Sequence, residues 1–439
     1  MKASVIEHNA RRIELALIFL GLVVLFWCLP FDITGDGYIR FRALRYLLTA
    51  ERIVSMSYSM VGPLFALPLW LLGKLYQSAE WWVARFNFFV FAAGLFIFYR
   101  LLRNRVDART ARRFLLILMF GSMFPNHLKD FYGEVFTAVF VGVGVLAAQV
   151  GHPRWGWSGV VVGAANTPAS MIGLGAMGLS ETVSTRRFRF LLVPIVGALV
   201  CLMESWIRRG SPWISGYEGN AGAETILTYS GEPGFSYPLV FGLLSLLFSF
   251  GKGLVFFAPG LLLFFMGTMS SLAKPLGRTY RLWLWFLAGL VVVYAPWWAW
   301  YGGWTWGPRY LFFASIPAAF ALAVSLEGAR SFGRNLLILG ILAGSFWVGM
   351  SGAVFGLGGL EDCRAADYEF LCWYVPEFSP LWRPFVVDLP LGGKEVLLLS
   401  YGIVVFAYLA APVVGKLREA ASEGLGKAGV YLRSGRWGF

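Results

Sequence analysis

Long apolar runs separated by short basic segments dominate this sequence. A helix that crosses a bilayer needs roughly 20 apolar residues, and fewer where it is buried in protein. Basic connectors mark the cytoplasmic side, so the pattern predicts about twelve spans with both termini inside. The predicted spans are 13–31, 83–101, 114–127, 135–150, 156–168, 169–182, 190–207, 254–272, 282–299, 310–326, 335–355 and 396–413. The chain is therefore predicted to be an all-α polytopic membrane protein with one domain, 1–439.

Two parts of this pattern need interpretation. The first run, Ile13 to Leu29, follows Lys2, Arg11 and Arg12 and lacks a small-residue cleavage site, so it is interpreted as an uncleaved signal anchor. The short pair around Asn166-Thr-Pro168 could also form a single span. One span there would place the basic C-terminus outside, so the positive-inside rule favours two short helices.

Composition supports a membrane protein, with 58% hydrophobic residues and a mean hydropathy of +0.66. The formal net charge of +13 lies largely in connectors such as 100–113 and 416–436. Attraction to anionic lipid headgroups is a sufficient role for these residues, which argues against a nucleic-acid partner. The expected location is a bacterial plasma (inner) membrane.

Three outer loops are long, about 32–82, 208–253 and 356–395. The first contains the basic stretch 38–45 and the proline-broken apolar stretch 60–75, both predicted to be helices in the interface plane with Arg heads in water. The last contains Cys363 and Cys372, a plausible disulfide in an oxidising compartment; a metal site is the weaker interpretation. Cys28 and Cys201 are predicted to be small core residues.

Asp36 is the most informative residue, because it follows the first span on a Gly-Asp-Gly segment where carboxylates are scarce. A catalytic base facing a lipid-linked substrate is one explanation, and an exposed loop residue is the other. The second outer loop adds His127, Lys129, Asp130 and Glu134. Asp130 and Glu134 share a face if the next helix starts early. They could bind a divalent cation, act on a hydroxyl, or cap the helix.

Two cations are also expected on the outer side. Lys252 is flanked by glycines, and Arg309 follows Gly307-Pro308. Together they would form a phosphate clamp with a point charge and a bidentate fork. The alternative for each is a residue that snorkels beside an aromatic belt.

The layout resembles the GT-C superfamily of integral membrane glycosyltransferases, which includes protein O-mannosyltransferases, the lipid A aminoarabinose transferase and mycobacterial arabinofuranosyltransferases. The resemblance rests on Gly35-Asp-Gly37, the segment Lys129 to Glu134, the pair around Asn166, and the segments Ser249 to Leu254 and Gly302 to Leu311. The order of predicted spans and loops resembles the family over most of the chain, but individual residues match only in short motifs.

The resemblance implies sugar transfer from a polyprenyl-phosphate carrier to a glycan or glycolipid acceptor at the outer membrane face, with inversion at the anomeric carbon. It makes Asp36 the general base, and Lys252 and Arg309 the ligands of the leaving phosphate. His127, Lys129, Asp130 and Glu134 would support the acceptor; Asp36, Asp130 and Glu134 would hold Mg²⁺ or Mn²⁺ if a metal is used. Many members carry paired acids in the first loop, whereas Asp32 and Asp36 are separated here, which leaves the choice of base between them open.

Two other classes share the polytopic form. A transporter or flippase of lipid-linked or sugar substrates usually has repeated halves and polar residues at mid-membrane depth, and neither is visible here. A scaffold for an envelope complex would leave the outer-loop acids unexplained.

Overall fold

The computed structural model describes residues 2–222, 224, 228–267, 272–327, 331–364 and 368–434 of the chain. In these ranges all regular secondary structure is helical. The α-helices are α1 (Lys2–Cys28), α2 (Gly35–Thr49), α3 (Val61–Phe65), α4 (Leu67–Leu75), α5 (Ala79–Ala84), α6 (Phe86–Leu102), α7 (Ala108–Phe120), α8 (Phe124–His127), α9 (Glu134–Gln149), α10 (Pro153–Ala165), α11 (Met171–Thr185), α12 (Leu192–Arg209), α13 (Leu239–Phe248), α14 (Leu254–Phe257), α15 (Lys274–Tyr294), α16 (Ser315–Ser325), α17 (Phe332–Val354), α18 (Leu371–Tyr374) and α19 (Gly393–Ser434).

Short 3-10 helices complete the description, at Pro168–Ser170, Phe188–Leu191, Pro259–Met266, Arg309–Ala314, Glu361–Arg364, Pro376–Phe378 and Arg383–Phe385. Local sequence explains several helix ends. Asp107 accepts from the backbone N–H groups of Arg109 and Thr110 at the start of α7. Gly210, with φ of +77°, ends α12 in the left-handed conformation that glycine adopts without strain.

Within the described residues, four helical segments are long and apolar enough to cross a membrane: Phe188–Arg209, Lys274–Tyr294, Phe332–Val354 and Gly393–Ser422. Four shorter apolar helices accompany them: Phe86–Leu102, Glu134–Gln149, Leu239–Phe248 and Arg309–Ser325. The predicted count of about twelve spans is therefore not confirmed. Two separate helices, α10 and α11, do lie on either side of Asn166, as predicted.

The predicted span 254–272 is wrong as a continuous helix. The structure has the four-residue α14, then the 3-10 helix Pro259–Met266, and residues 268–271 lie outside the described ranges. Pro259 lacks an N–H donor and therefore cannot continue the helical hydrogen bonds of α14. The segment also packs closely on α16, where a Cβ on Gly260 would stand 2.4 Å from the carbonyl oxygen of Ala318.

Helix α13 was missed because it lies in the predicted outer loop 208–253. Its ten residues, LVFGLLSLLF, are apolar throughout but too few to span a bilayer on their own. The helix packs against α14 and α15, so its length is set by protein contacts.

Two hydrophobic clusters organise the molecule. The larger one is built around α7 and α16, whose residues are almost all buried, with α6, α9, α15 and α17 packed around them. The smaller cluster contains buried residues of α2, α4, α5 and α6, among them Phe41, Leu44 and Trp70. These residues pack together with Phe131 and Phe136. This second cluster holds the N-terminus of α2 against the segment that precedes α9.

A buried cluster of charged side chains connects α1 to α7 and α19, near the end of α1 that is remote from α2. The fully buried carboxylate of Glu14 accepts from Arg112 Nε at 2.5 Å and from the hydroxyl of Tyr408 at 3.0 Å. Arg109 Nε and Arg113 Nε lie 3.6 and 3.9 Å from the same carboxylate. Sequence analysis placed Glu14 inside the first span and assigned it no partner.

Replacing Glu14 with Gln should lower the free energy of unfolding by roughly 3 kcal/mol, because it leaves the buried guanidinium of Arg112 without its counter-charge. Unfolding of the purified protein in an SDS titration measures this difference. The exposed Glu80 offers a control, since Glu80→Gln should cost less than about 1 kcal/mol. Equal effects of the two substitutions would contradict a structural role for the cluster.

Candidate active site

Asp36 lies in the first turn of α2, where the backbone is fixed by its neighbours. Gly35 has a φ of +47°, and a Cβ on it would stand 2.7 Å from the hydroxyl oxygen of Tyr132. Only glycine fits this position without strain. The side chain of Asp36 remains 21% exposed, so an incoming group can reach its carboxylate.

Arg309 binds Asp36 directly. Its Nη1 donates to Asp36 Oδ2 at 2.5 Å, across 273 positions of sequence. Its Nε lies 3.9 Å from Glu134 Oε1, and the guanidinium stands 5.5 Å from the ring centroid of Tyr132. The structure thus brings together three residues that the sequence singled out, Asp36, Glu134 and Arg309, one from each of three segments that are far apart in the sequence.

A small cavity of about 20 Å³ lies beside this group, lined among others by Glu134, Arg309, Tyr294 and Tyr310. The rings of Tyr294 and Tyr310 stack at 4.0 Å. Arg309 Nε and Glu134 Oε2 are buried and have no hydrogen-bond partner within the described residues. A buried donor without a partner costs free energy unless a ligand satisfies it, so this cavity is a binding-site candidate.

Asp130 and Glu134 do not share a helical face. Helix α9 begins at Glu134, so Asp130 precedes it and the condition for a common face fails. Asp130 accepts from the hydroxyl of Thr34 at 2.8 Å, while Glu134 lies near Arg309. Burial raises the pKa of the Asp130 carboxyl, and the hydrogen bond from Thr34 opposes that shift.

Lys129 and His127 make local contacts with the bundle. The amine of Lys129 donates to the carbonyl of Gly352 at 2.9 Å, and burial lowers the pKa of this amine to about 8. The ring of His127 stacks on Phe312 at 4.6 Å, and its Nδ1 lies 3.2 Å from the carbonyl oxygen of Met123. These contacts give both residues a packing role; support of an acceptor by either one stays a prediction.

Lys252 has a different environment from the predicted phosphate clamp. The residue is 1% exposed, and its ammonium donates to the carbonyls of Thr305, Gly307 and Gly303 at 2.5, 3.0 and 3.4 Å. An ammonium has three donors, so these carbonyls use all of them. In this arrangement Lys252 has no donor left for a phosphate, whereas Arg309 has one.

The carboxylates proposed for a metal do not converge. Among the described residues no group of three or more His, Cys, Asp or Glu side chains is arranged to hold a metal ion. Asp36 and Glu134 flank one guanidinium, and Asp130 faces Thr34. A cation at Asp36 would have to compete with Arg309, so this donor set does not fit Mg²⁺ or Mn²⁺ well.

Cys363 and Cys372 form a disulfide with a Cα–Cα distance of 5.9 Å. Both residues are buried, and the free cysteines in the described part of the chain are Cys28 and Cys201. The disulfide closes a short loop next to Trp373, whose ring lies beneath the ammonium of Lys252 at 4.3 Å.

Sequence analysis did not predict the contact between Asn166 and Arg40. Asn166 Oδ1 accepts from Arg40 and from the backbone N–H of Gly62, at 3.2 and 2.9 Å. Its Nδ2 donates to the carbonyl of Gly133 at 2.9 Å and to the hydroxyl of Thr137 at 3.1 Å. Arg40 is 8% exposed, so the prediction that the arginines of 38–45 all have their heads in water is wrong for this residue.

Tyr58 is another residue that sequence analysis missed. Burial and a hydrogen bond to Asp36 raise the pKa of its phenol. The segment around it has no regular structure and is held by Arg208 and Arg209, which donate to the carbonyls of Tyr58 and Met56. The sequence showed two adjacent arginines at the end of α12, but it did not indicate which segment they contact.

An apolar groove of about 550 Å³ lies near the site, and every residue that lines it is apolar. Phe248 and Leu254, which flank the loop of Lys252, form one wall, and Ala288 and Val291 of α15 form another. Leu290 and Tyr294 on the same helix line the cavity of Arg309. The groove and the cavity therefore adjoin one segment of α15.

Two solved structures share this architecture. They are crystal structures of ArnT from Cupriavidus metallidurans, one in the apo state and one bound to undecaprenyl phosphate, with TM-scores of 0.52 and 0.51. Each match covers 93% of this chain and 77% of the ArnT chain, at 14% sequence identity. The chain has the fold of ArnT.

The predicted all-α membrane fold is thereby confirmed, and together with the apolar helices it indicates an integral membrane protein. No protein-family model matches the sequence, and no curated protein matches it either. At 14% identity the ArnT match describes the fold, while the roles of individual residues rest on the geometry above.

Replacing Asn166 with Ala should lower the free energy of unfolding by roughly 3 kcal/mol, because buried Arg40 and the backbone of Gly62 and Gly133 lose their partners. SDS titration again gives the measurement. Asn104→Ala, at an exposed position, should stay within about 0.5 kcal/mol of the wild type. An Asn166→Ala protein as stable as the Asn104→Ala control would show that Asn166 does not hold these segments together.

Proposed function

We propose that the chain is an inverting glycosyltransferase that moves a monosaccharide from a polyprenyl-phosphate carrier to a cell-envelope acceptor. The observation that carries this proposal is the contact of Asp36 with Arg309 at 2.5 Å, within the fold of ArnT. The reaction needs a base for the acceptor hydroxyl and a cation for the leaving phosphate. The partly exposed Asp36 can serve as the base, and the buried guanidinium of Arg309, whose Nε has no hydrogen-bond partner within the described residues, can serve as the cation.

The donor would use the groove for its lipid and the charged group of Arg309 and Asp36 for its phosphate and sugar. The isoprenoid chain suits the apolar groove, where burial of its surface contributes roughly 25 cal/mol per Å². The phosphate would then lie at Arg309, whose Nε has no hydrogen-bond partner in the described part of the chain. The ArnT crystal structure with undecaprenyl phosphate shows that this fold accommodates such a lipid.

The reaction follows from these positions. Asp36 removes the proton of an acceptor hydroxyl as the hydroxyl oxygen attacks the anomeric carbon. The bond between that carbon and the phosphate oxygen breaks, and the polyprenyl phosphate leaves with the electron pair. Arg309 stabilises the negative charge that grows on the leaving phosphate, and attack from the opposite face inverts the anomeric carbon.

The charge distribution supports an extracytoplasmic site. Glu14 and its arginines lie in the N-terminal half of α1 and at the start of α7, whereas Asp36 and Asp130 follow the C-terminal ends of α1 and α7. Basic residues favour the cytoplasmic side, so the two groups belong to opposite membrane faces. We infer that both termini are cytoplasmic and that the protein resides in a bacterial inner membrane.

The sugar and the acceptor are the open parts of this proposal. A hexose such as mannose and a pentose such as arabinose both suit the reaction, with a glycan or a glycolipid as the acceptor. A divalent cation stays a prediction, and the steps above use only side chains of this chain.

The test is transfer in proteoliposomes that contain labelled polyprenyl-phosphate mannose or arabinose and an envelope glycan extract. Asp36→Asn should lower the transfer rate about 10³-fold, because the general base is lost. Asp32→Asn is the matched control and should stay within about threefold. The carboxylate of Asp32 accepts from the adjacent backbone N–H of Ile33 at 2.7 Å, away from Arg309.

Transfer that survives in a folded Asp36→Asn protein would reject Asp36 as the base. If the wild type consumes neither donor while labelled lipid crosses the bilayer, a flippase replaces the glycosyltransferase as the function.

A further inference from the structure

The loop that precedes Arg309 lacks regular structure and depends on glycine. Gly302, Gly303 and Gly307 all have positive φ angles, of +79°, +71° and +65°. The N–H of Arg309 donates to the carbonyl of Gly307 at 3.0 Å, so the position of Gly307 sets that of Arg309. A loop with three glycines has high conformational entropy when it is free and therefore needs contacts that hold it.

Lys252 supplies those contacts from inside the protein. Its ammonium binds the carbonyls of Gly303, Thr305 and Gly307, which precede Arg309 by six, four and two residues. A buried ammonium is costly unless each of its donors has a partner, and here three carbonyls serve as those partners. One cation thus fixes three alternate positions of the loop.

The opposite side of Lys252 is supported by the disulfide loop. The ammonium lies 4.3 Å from the ring centroid of Trp373, a cation–π contact. The backbone N–H of Gly251 donates to the carbonyl of Trp373 at 3.0 Å. A Cβ on Gly251 would stand 2.1 Å from the carbonyl oxygen of Cys372, so the two segments meet without room for a side chain. Cys372 is tied to Cys363.

We propose that Lys252 is a positioning residue, which fixes the loop of Gly302 to Gly307 and through it the guanidinium of Arg309, with Trp373 and the disulfide loop as its support. Lys252 therefore acts on the donor phosphate through Arg309 and makes no contact of its own with it. This inference rests on the proposed role of Arg309 in phosphate binding.

A double-mutant cycle separates a positioning residue from a phosphate ligand. The variants are Lys252→Met, Arg309→Met and the double substitution, and the measured quantity is the affinity for undecaprenyl phosphate in detergent. Lys252→Met should weaken binding about tenfold in the wild-type background and less than about twofold in the Arg309→Met background. Lys74→Met, at an exposed position, is the control and should leave the affinity unchanged.

A second measurement does not require the ligand. Amide hydrogen exchange over residues 301–310 should be faster in Lys252→Met than in the wild type or in Lys74→Met, because the loop loses three hydrogen bonds. If Lys252→Met does not fold, Trp373→Leu removes the aromatic support instead. It should increase exchange over the same residues in the same direction.

The outcomes are distinct. An equal loss of affinity in both backgrounds would make Lys252 an independent phosphate ligand and overturn the proposal. Unchanged exchange over 301–310 would overturn it as well. A wild-type protein that does not bind undecaprenyl phosphate would count against the proposed function, while faster exchange in Lys252→Met would still support the role of Lys252 in holding the loop.

Discussion

The contact between Arg309 and Asp36 imposes the main constraint on this structure. A guanidinium that is 7% exposed must be neutralised nearby, and the partners it has are Asp36 and, at longer range, Glu134. Because these residues come from three segments that are far apart in the sequence, the ion pair sets where α2, α9 and the helix that begins at Arg309 meet. The same charges form the proposed catalytic group, so both the meeting of these helices and the proposed chemistry depend on this ion pair.

The surrounding structure can be understood as support for that pair. Asn166 and Arg40 connect α2 to the start of α9, and Gly35 lets α2 begin against Tyr132. On the other side, Lys252 holds the loop that leads to Arg309. Buried polar networks of this kind are costly when incomplete, which makes the geometry of the site sensitive to each member.

Sequence reasoning was most reliable where a single residue conflicted with its surroundings. Asp36 and Arg309 were recognised because charged groups at a membrane boundary need an explanation, but their contact could not be predicted across 273 positions. Lys252 was assigned to a phosphate because a glycine-flanked lysine and Arg309, both expected on the outer side, would form a clamp. The glycines instead allow close backbone approach to Cys372 and burial of the lysine. The division of 254–272 follows from Pro259, which the sequence shows, and from packing against α16, which it does not.

A cryo-electron microscopy map of the protein with undecaprenyl phosphate in nanodiscs would test the central claim most directly. We expect phosphate density in hydrogen-bond contact with Arg309 beside Asp36, and continuous density for the lipid tail in the groove between Phe248 and Val291. Phosphate density at the opposite end of the bundle, next to Arg112 and Arg113, would contradict the account. So would a lipid that occupies the groove while its phosphate makes no contact with Arg309.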